Sequence, residues 1–495
     1  MKNVVLIEPK SPDWHVFSRW KLPRLGLVVL GTRLKAAGYD VKLFVEDVAP
    51  VDFAALFSAD LVGISTITST APRAYEFAKA AKRAGIPVVM GGPHVTFLPD
   101  EALEHCDYVI RGEADDLIVD FVKRLESGAD LTTMPSLSWR PNGEVVHNAA
   151  CPACSDVEAL PIPDLALIHG YDLSPGSKAV VPVQTSRGCP FDCTFCSVTK
   201  MFGRAYRFRS TENVMAELRA LRGRYVFFYD DNFTANLKRA KDLMRAMIRE
   251  GLNLKWSAQV RCDAGRDPEL LDLMVRSGCY YVYIGLESVS PAVLESYHKR
   301  QSVDEIKRVV REFDRRGIRI HGMFIFGADE DTTETVRETA RFARKHHLAS
   351  AQFAILVPLP GTPVFETLKR EGRLLTRDWS RYDGHHVVFR PKRMSTLELQ
   401  VETLRAFGAF YSLSAALRRL ARFDWFTLAI KLWGRYHARR FMKRMDGFVE
   451  VTRQWAHETG HKAELRARRT ADDIKLAVAR FDLDALRRRR QEQSS

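Results

Sequence analysis

Short apolar runs separated by helical stretches recur in two series along this chain, and few folds accept such an alternation. In the first series, runs at 4–7, 41–45, 61–67, 88–90 and 108–110 alternate with helical patterns at 25–37, 71–84 and 117–125. Continuous apolar runs this short suit strands buried on both faces, as in a parallel sheet. Gly38 and Gly85 stand where two of these helices should stop. The second series has strand-like runs at 180–186, 225–229, 255–260, 281–284, 319–326 and 352–357. Helical patterns at 213–221, 237–249, 268–276, 303–316 and 334–346 separate them. Such repetition predicts α/β architecture, with ligands at the carboxyl ends of the strands.

At 495 residues the chain is long enough for two or three domains, and 46% hydrophobic against 27% charged residues is an ordinary globular balance. The first nine residues read as a strand rather than a secretion signal. No apolar run approaches the ~20 residues that cross a bilayer. Together these predict a cytoplasmic protein. Eight cysteines, grouped rather than scattered, fit metal binding in a reducing compartment. The net charge of +14 raises nucleic acid or an anionic membrane surface as partners. Much of it lies near the C-terminus, at Arg466, Arg468, Arg469 and the run 487–490, where a solvated helical tail is the plainer explanation.

The segment Cys189-Pro190-Phe191-Asp192-Cys193-Thr194-Phe195-Cys196 follows the first run of the second series and a hinge at Arg187-Gly188. Cysteine thiolates hold iron–sulfur clusters. Three of them on a four-iron cubane leave one iron open, as a catalytic metal site keeps a position for its substrate. A zinc knuckle would want a fourth Cys or His close by, and none follows. The spacing C-x3-C-x2-C, with Phe195 before the last cysteine, resembles the signature of the radical S-adenosylmethionine (SAM) superfamily. The resemblance implies a [4Fe-4S] cluster on Cys189, Cys193 and Cys196, and SAM chelated to the open iron. It also implies reductive cleavage of SAM to a 5′-deoxyadenosyl radical, fed by a donor such as flavodoxin or ferredoxin. The six strands with their intervening helices match that superfamily's partial (βα)6 barrel.

The loops after the first series carry a second resemblance. Gly63-Ile64-Ser65-Thr66, Gly91-Gly92-Pro93-His94-Val95-Thr96 and Arg111-Gly112-Glu113 are similar to the cobalamin-binding domain that precedes many radical SAM domains. It implies a Rossmann-like domain at 1–128 that takes cobalamin's nucleotide tail, with Ser65, Thr66, Gly91, Gly92, His94, Thr96 and Glu113 as its contacts. No G-x-G-x-x-G follows the first strand, as a dinucleotide site would require. Asp13-Trp14-His15 approximates the D-x-H-x-x-G of cobalt-ligating domains but lacks the glycine, so an arrangement without histidine on cobalt is expected.

Residues 129–179 read as a linker with a small hairpin around Pro141-Asn142-Gly143. Cys151 and Cys154 supply two ligands where an auxiliary cluster needs more, and Cys106, Cys262 and Cys279 read as small core hydrophobes. In the barrel, 180–392, the strand ends Asp230-Asp231-Asn232-Phe233, Gly285-Leu286-Glu287-Ser288 and Pro358-Leu359-Pro360-Gly361-Thr362-Pro363 resemble features of cobalamin-dependent radical SAM enzymes. Asp230 and Asp231 suit the SAM ammonium, and Arg261 its carboxylate. Glu287 suits the ribose or Arg261; a rim ion pair is the alternative for Asp231 and Glu287. Tyr281 and Tyr283 share one strand face, where one would serve as proton donor or radical quencher if it does not simply pack. His321 carries the same ambiguity. The region 393–495 reads as mainly helical, with aromatic and basic residues that suit a helix over the barrel mouth or one lying on a membrane.

These resemblances predict a cobalamin-dependent radical SAM enzyme that methylates an unactivated carbon of a small-molecule or lipid substrate. Radical cyclisation or rearrangement with the same cofactors is the alternative, as in the anaerobic magnesium-protoporphyrin ester cyclase, which the sequence also resembles. Transfer-RNA methylthiolation fits less well, because that family's domain order differs.

Overall fold

The computed structural model describes residues 1–11, 22–151, 156–174, 177, 179–346, 348–420 and 423–458. His15, Cys154 and the basic residues beyond 458 lie outside the described residues, and with them the readings placed there.

The first sheet contains β1 (Asn3–Glu8), β2 (Asp40–Val45), β3 (Leu61–Ser65), β4 (Val88–Gly91) and β5 (Tyr108–Ile110), all parallel, in the order β2-β1-β3-β4-β5. Helices α1 (Leu25–Ala36), α2 (Ala71–Arg83) and α3 (Ile118–Ser127) cover it. Strand order reverses between β1 and β3, which opens a crevice at their carboxyl ends. The expected hairpin exists, as β6 (Leu137–Trp139) and β7 (Val146–His147), and it adds antiparallel strands to the edge of this same sheet. Part of the region expected as linker therefore belongs to the first domain.

The second sheet runs in strict sequence order: β8 (Val180–Val183), β9 (Tyr225–Phe228), β10 (Lys255–Val260), β11 (Cys279–Glu287), β12 (Arg319–Phe326) and β13 (Ser350–Ile355), all parallel. Helices α4 (Thr211–Arg219), α5 (Leu237–Arg249), α6 (Pro268–Arg276), α7 (Val303–Arg315) and α8 (Thr333–Lys345) form its outer layer, which closes over Trp256, Phe228, Phe313 and Phe324. The first and last strands do not pair, so the barrel is open.

Among the described residues, α9 (Pro363–Arg370) is followed by three helices, α10 (Thr396–Phe410), α11 (Leu413–Leu420) and α12 (Trp425–Glu458). Ser395 caps α10 in a reciprocal box with Glu398. Phe407 and Phe410 of α10 pack on Phe353 of β13, and Arg337 of α8 pairs with Glu402 at 2.6 Å. Just past α10, Tyr411 donates its hydroxyl to Ala351 O (2.9 Å) and accepts from Ala351 N (3.2 Å), which satisfies the exposed edge of β13. The helices thus cover the open side of the barrel, not its mouth. The chain that reaches the mouth is the loop before them, Tyr382 to Gly384.

Candidate active site

The cysteine loop leaves β8 through Gln184 and Thr185. Asp230, at the end of β9, is fully enclosed and anchors that departure: Oδ1 accepts the amides of Thr185 (2.7 Å) and Ser186 (2.8 Å), and Oδ2 the Thr185 hydroxyl. Its neighbour Asp231 takes the Gly188 amide and lies within electrostatic reach of Cys189 and Cys196. Burial, reinforced by Asp230, raises its pKa to about 6. Cys189, Cys193 and Cys196 are free thiols, partly open to solvent. Burial, against nearby amide donors, pushes Cys196 up to about 12 and Cys189 upward as well.

The segment 296–301 grips this loop from the side. Thr194 donates to Tyr297 O and Ser296 O, and Phe195 meets Tyr297 edge to face at 5.0 Å. Arg261, at the end of β10, donates to Lys299 O at 2.6 Å and lies 3.6 Å over the Phe191 ring. Glu287, at the end of β11, pairs with buried Lys299 at 2.5 Å. Burial alone would lower the Lys299 pKa, but Glu287 and then Cys193 hold the ammonium above its ordinary value. A Cβ at Gly285 would sit 2.7 Å from Lys299 Nζ, so that glycine makes room for the pair.

Both sheets point their carboxyl ends at one cavity of about 500 Å³. The first domain lines it from the crevice at β1 and β3, with Pro9, Ser11, Arg24 and the stretch Ile67 to Thr70, joined by Pro93 and Phe97. The barrel contributes Ser197 beside the cysteine loop, Gln352 and Ala354 from β13, and Val357, Leu359 and Pro360. The lining is mainly apolar. Arg24 pairs with Glu8 at 3.4 Å, while its buried Nη2 has no hydrogen-bond partner.

Two polar clamps join the domains beside this cavity. Arg187 binds Asp115 through both terminal nitrogens (2.5 and 3.1 Å), and Arg207 binds Glu113 likewise (2.7 and 2.8 Å). On the other side, Glu101 Oε1 receives Tyr75 Oη (2.9 Å), His94 Nε2 (3.3 Å) and Trp379 Nε1 (2.8 Å).

Comparison with known proteins names the two halves. Residues 183–343 match the Radical SAM superfamily, and residues 19–122 match the B12 binding domain. The chain is 36% identical to an uncharacterised methyltransferase of Pyrococcus horikoshii, over 79% of this chain and 88% of that protein. It is 28% identical to the bacteriochlorophyllide d C-12(1)-methyltransferase of Chlorobaculum tepidum (85% and 89% covered). It is 30% identical to the anaerobic magnesium-protoporphyrin IX monomethyl ester cyclase of Cereibacter sphaeroides (83% and 70%). The cobalamin-dependent SAM radical enzyme OxsB shares the fold, with a TM-score of 0.68 at 16% identity over 98% of this chain and 80% of that one. The chain belongs to the cobalamin-dependent radical SAM methyltransferase family. Its cofactors are accordingly a [4Fe-4S] cluster, SAM and cobalamin.

The residues present fit that set. Three free thiols on one loop, beside a lysine ammonium and an arginine, suit a polynuclear cation that takes them as thiolates. Among the described residues, no three Cys, His, Asp or Glu side chains converge as a single metal ion requires. Around the loop, Gln301 Oε1, Tyr297 Oη and Arg261 Nε are buried without hydrogen-bond partners, Arg261 Nε having only Asp263 at 3.7 Å, and are left over for a polar ligand. In the first domain, a Cβ on Gly91 would meet nothing nearer than 3.7 Å, so the space there is open to a ligand.

Several expected contacts do other work. Glu113 is spent on Arg207 and Arg187, not offered to cobalamin. His94 is buried against Tyr75, Glu101 and Trp379. Thr66 donates to Gly91 O, and Thr96 accepts from Gly112 N, so both brace loops. Gly92 has φ 94°, and a Cβ there would lie 2.5 Å from Thr66 O; it is required by loop packing. Ser65 stays partly open at the end of β3. Asp230 holds backbone rather than the SAM ammonium, and Glu287 holds Lys299 rather than Arg261.

Tyr281 and Tyr283 are the clearest corrections. Tyr281 hydrogen-bonds Ser350, which also meets His321, near the amino ends of the strands. At about 3.3 Å per residue, Tyr281 lies roughly 20 Å below Glu287, away from the chemistry. Tyr283 packs between Phe227 and His321. Lys299, Asp115, Arg187 and Arg24 carried no local signal, because each matters only through a partner distant in sequence.

Proposed function

We propose that this enzyme methylates an unactivated carbon of a largely apolar small molecule, bound in the cavity between the two domains. The observation that carries the reading is that one apolar cavity is walled by the first domain's crevice, by the flank of the cysteine loop at Ser197 and by the end of β13. When bound, the cluster with SAM would supply a hydrogen-abstracting radical, and cobalamin would carry to the substrate a methyl group taken from a second SAM. The chain's own task is orientation and exclusion of water. Asp231, Arg261 and Lys299 surround the SAM site with charges of both signs. Ser65 and Gly91 are proposed contacts for the nucleotide tail of cobalamin. Arg24, with one buried nitrogen unused, offers a cation to an oxygen of the ligand. A flavodoxin or ferredoxin is the proposed electron donor.

Anaerobic reconstitution with iron, sulfide and cobalamin tests this. With reduced flavodoxin as electron source, SAM carrying a deuterated methyl group and candidate apolar metabolites, a product heavier by one labelled methyl is expected alongside 5′-deoxyadenosine. Formation of 5′-deoxyadenosine with no label in any product would refute methyl transfer. The similarity to the cyclase supports a second reading, in which the same site closes a ring. A product with no added methyl mass would select it.

A further inference from the structure

Among the described residues, exposed large hydrophobic side chains gather away from the cavity. Eight of the exposed large hydrophobic side chains fall in one helical hairpin: Leu413, Leu417 and Leu420 of α11, Phe423 at the turn, and Trp425, Phe426, Leu432 and Tyr436 of α12. The pattern inverts ordinary amphipathicity. On α11, Leu413, Leu417 and Leu420 follow the i, i+4, i+7 spacing of one helix face, and that face is outward, while Ala415 and Ala416 point in. On α12, Trp425, Leu432 and Tyr436 fall on one outward stripe by the same spacing.

The turn is built to present its side chain. Phe423 adopts φ 56°, a conformation bulky residues avoid, and stands 78% exposed. Trp425 beside it is 62% exposed. Behind the aromatic tip, past Asp424, the chain from 425 to 444 has six Lys and Arg and no Asp or Glu; Lys431 is buried over the Phe410 ring, and Arg440 is exposed. Lys443 and Arg444 lie exposed on the next turns of the helix. No described helix is long and apolar enough to cross a membrane.

An aromatic and leucine tip followed by a basic belt is the profile of an element that lies in a lipid interface and not of a core helix. We propose that this hairpin docks the enzyme on the surface of an anionic bilayer. Arg319, at the amino end of β12, stacks 4.3 Å from Phe426, so the hairpin sits at the end of the barrel opposite the cavity. Docking therefore leaves the cavity mouth turned away from the lipid. The inference is independent of the reaction proposed above.

The test is flotation of the full-length, cluster-loaded protein with vesicles of phosphatidylglycerol and phosphatidylethanolamine, and with phosphatidylcholine vesicles. Binding to the anionic vesicles, weakened by 0.5 M salt, is expected. The exposed double variant Phe423→Ser/Trp425→Ser should lose at least tenfold in partition while keeping its cluster absorbance and circular dichroism. Lys443→Glu should lose anionic selectivity. Wild-type protein that stays unbound would overturn the proposal, as would a double variant that floats like wild type. A dimer in light scattering that the double variant dissolves would overturn it in favour of a second copy of the chain. Leu417→Ser/Leu420→Ser gives a second reading of the same surface if the first variant loses its cluster.

Discussion

Replacing Asp115 by asparagine should loosen the interface that holds the cysteine loop against the first domain. Arg187 grips the Asp115 carboxylate with two nitrogens, and each side chain is only 6% exposed. Breaking one side of a buried ion pair strands the other charge and costs roughly 3–5 kcal/mol. Glu113 lies 3.4 Å from the same guanidinium, but it is committed to Arg207. It recovers a part of the attraction, which puts the cost near the lower end, about 3 kcal/mol. At about 1.4 kcal/mol per tenfold, that is about a hundredfold in the opening equilibrium. A protein of several domains has no single unfolding free energy, so local opening is the quantity to follow.

Hydrogen exchange of the peptides 108–115 and 183–190 reads it. Both should exchange up to about a hundredfold faster in Asp115→Asn, with peptides of α6 and α7 unchanged. Adding Arg187→Gln removes the stranded charge, so the double variant should be slower to exchange than Asp115→Asn alone. Exchange within twofold of wild type, or a double variant no tighter than the single one, would refute the claim that this pair carries the interface.

Other consequences are equally checkable. Cys193→Ala should yield protein without cluster absorbance, whereas Cys262→Ala and Cys279→Ala, both buried in the core, should retain it. Gly92→Ala forces a Cβ into Thr66 O at a left-handed φ and should cost more than the ~1–2 kcal/mol of the conformation alone; thermal denaturation and cobalamin content report it. Tyr281→Phe loses one buried hydrogen bond, about 1 kcal/mol, and with Tyr283→Phe should leave 5′-deoxyadenosine formation within about twofold of wild type, since neither reaches the cavity. Burial lowers the His321 pKa from 6.5 to about 3. Between those values the unfolded chain binds the extra proton, so its contribution to stability is intact above pH 6.5 and is lost as pH falls toward 3. Denaturant midpoints measured from pH 7 to pH 4 should fall less steeply in His321→Gln.

The fold was legible because its information is local. Apolar runs the length of a strand, spaced by helical periods, mark all eleven parallel strands of the two sheets, from β1 through β5 and β8 through β13. The cysteine triad was legible for the same reason: its three ligands lie within eight residues of sequence. What failed was depth. Alternation told which face Tyr281 and Tyr283 share, but not how far along the strand they sit, and chemistry at a barrel is decided by that height. Partnership failed too. The motifs place Glu113 and Asp230 at strand ends as cofactor contacts, yet Arg207 and the Thr185 amide claim them, and no local pattern announces a partner dozens of residues away.

The way the domains meet bears on how specificity is set. The cavity has no wall that belongs to one element: the crevice of the first sheet, the last barrel strand and the loop Tyr382 to Gly384 each supply part. The joints between these parts are largely polar. Glu101 on one domain gathers three donors, one of them Trp379 from the stretch leading to that loop, and the arginine–carboxylate clamp fixes the opposite side. Charge-assisted hydrogen bonds fix angle and distance more narrowly than apolar contact does. Two reactive centres held by different domains need that kind of joint, because the rate of transfer between them falls with small errors in position. On the proposed reading, exchanges in the cavity lining such as Ile67→Ala or Val357→Ala should alter the accepted substrate without disturbing the joint between the domains.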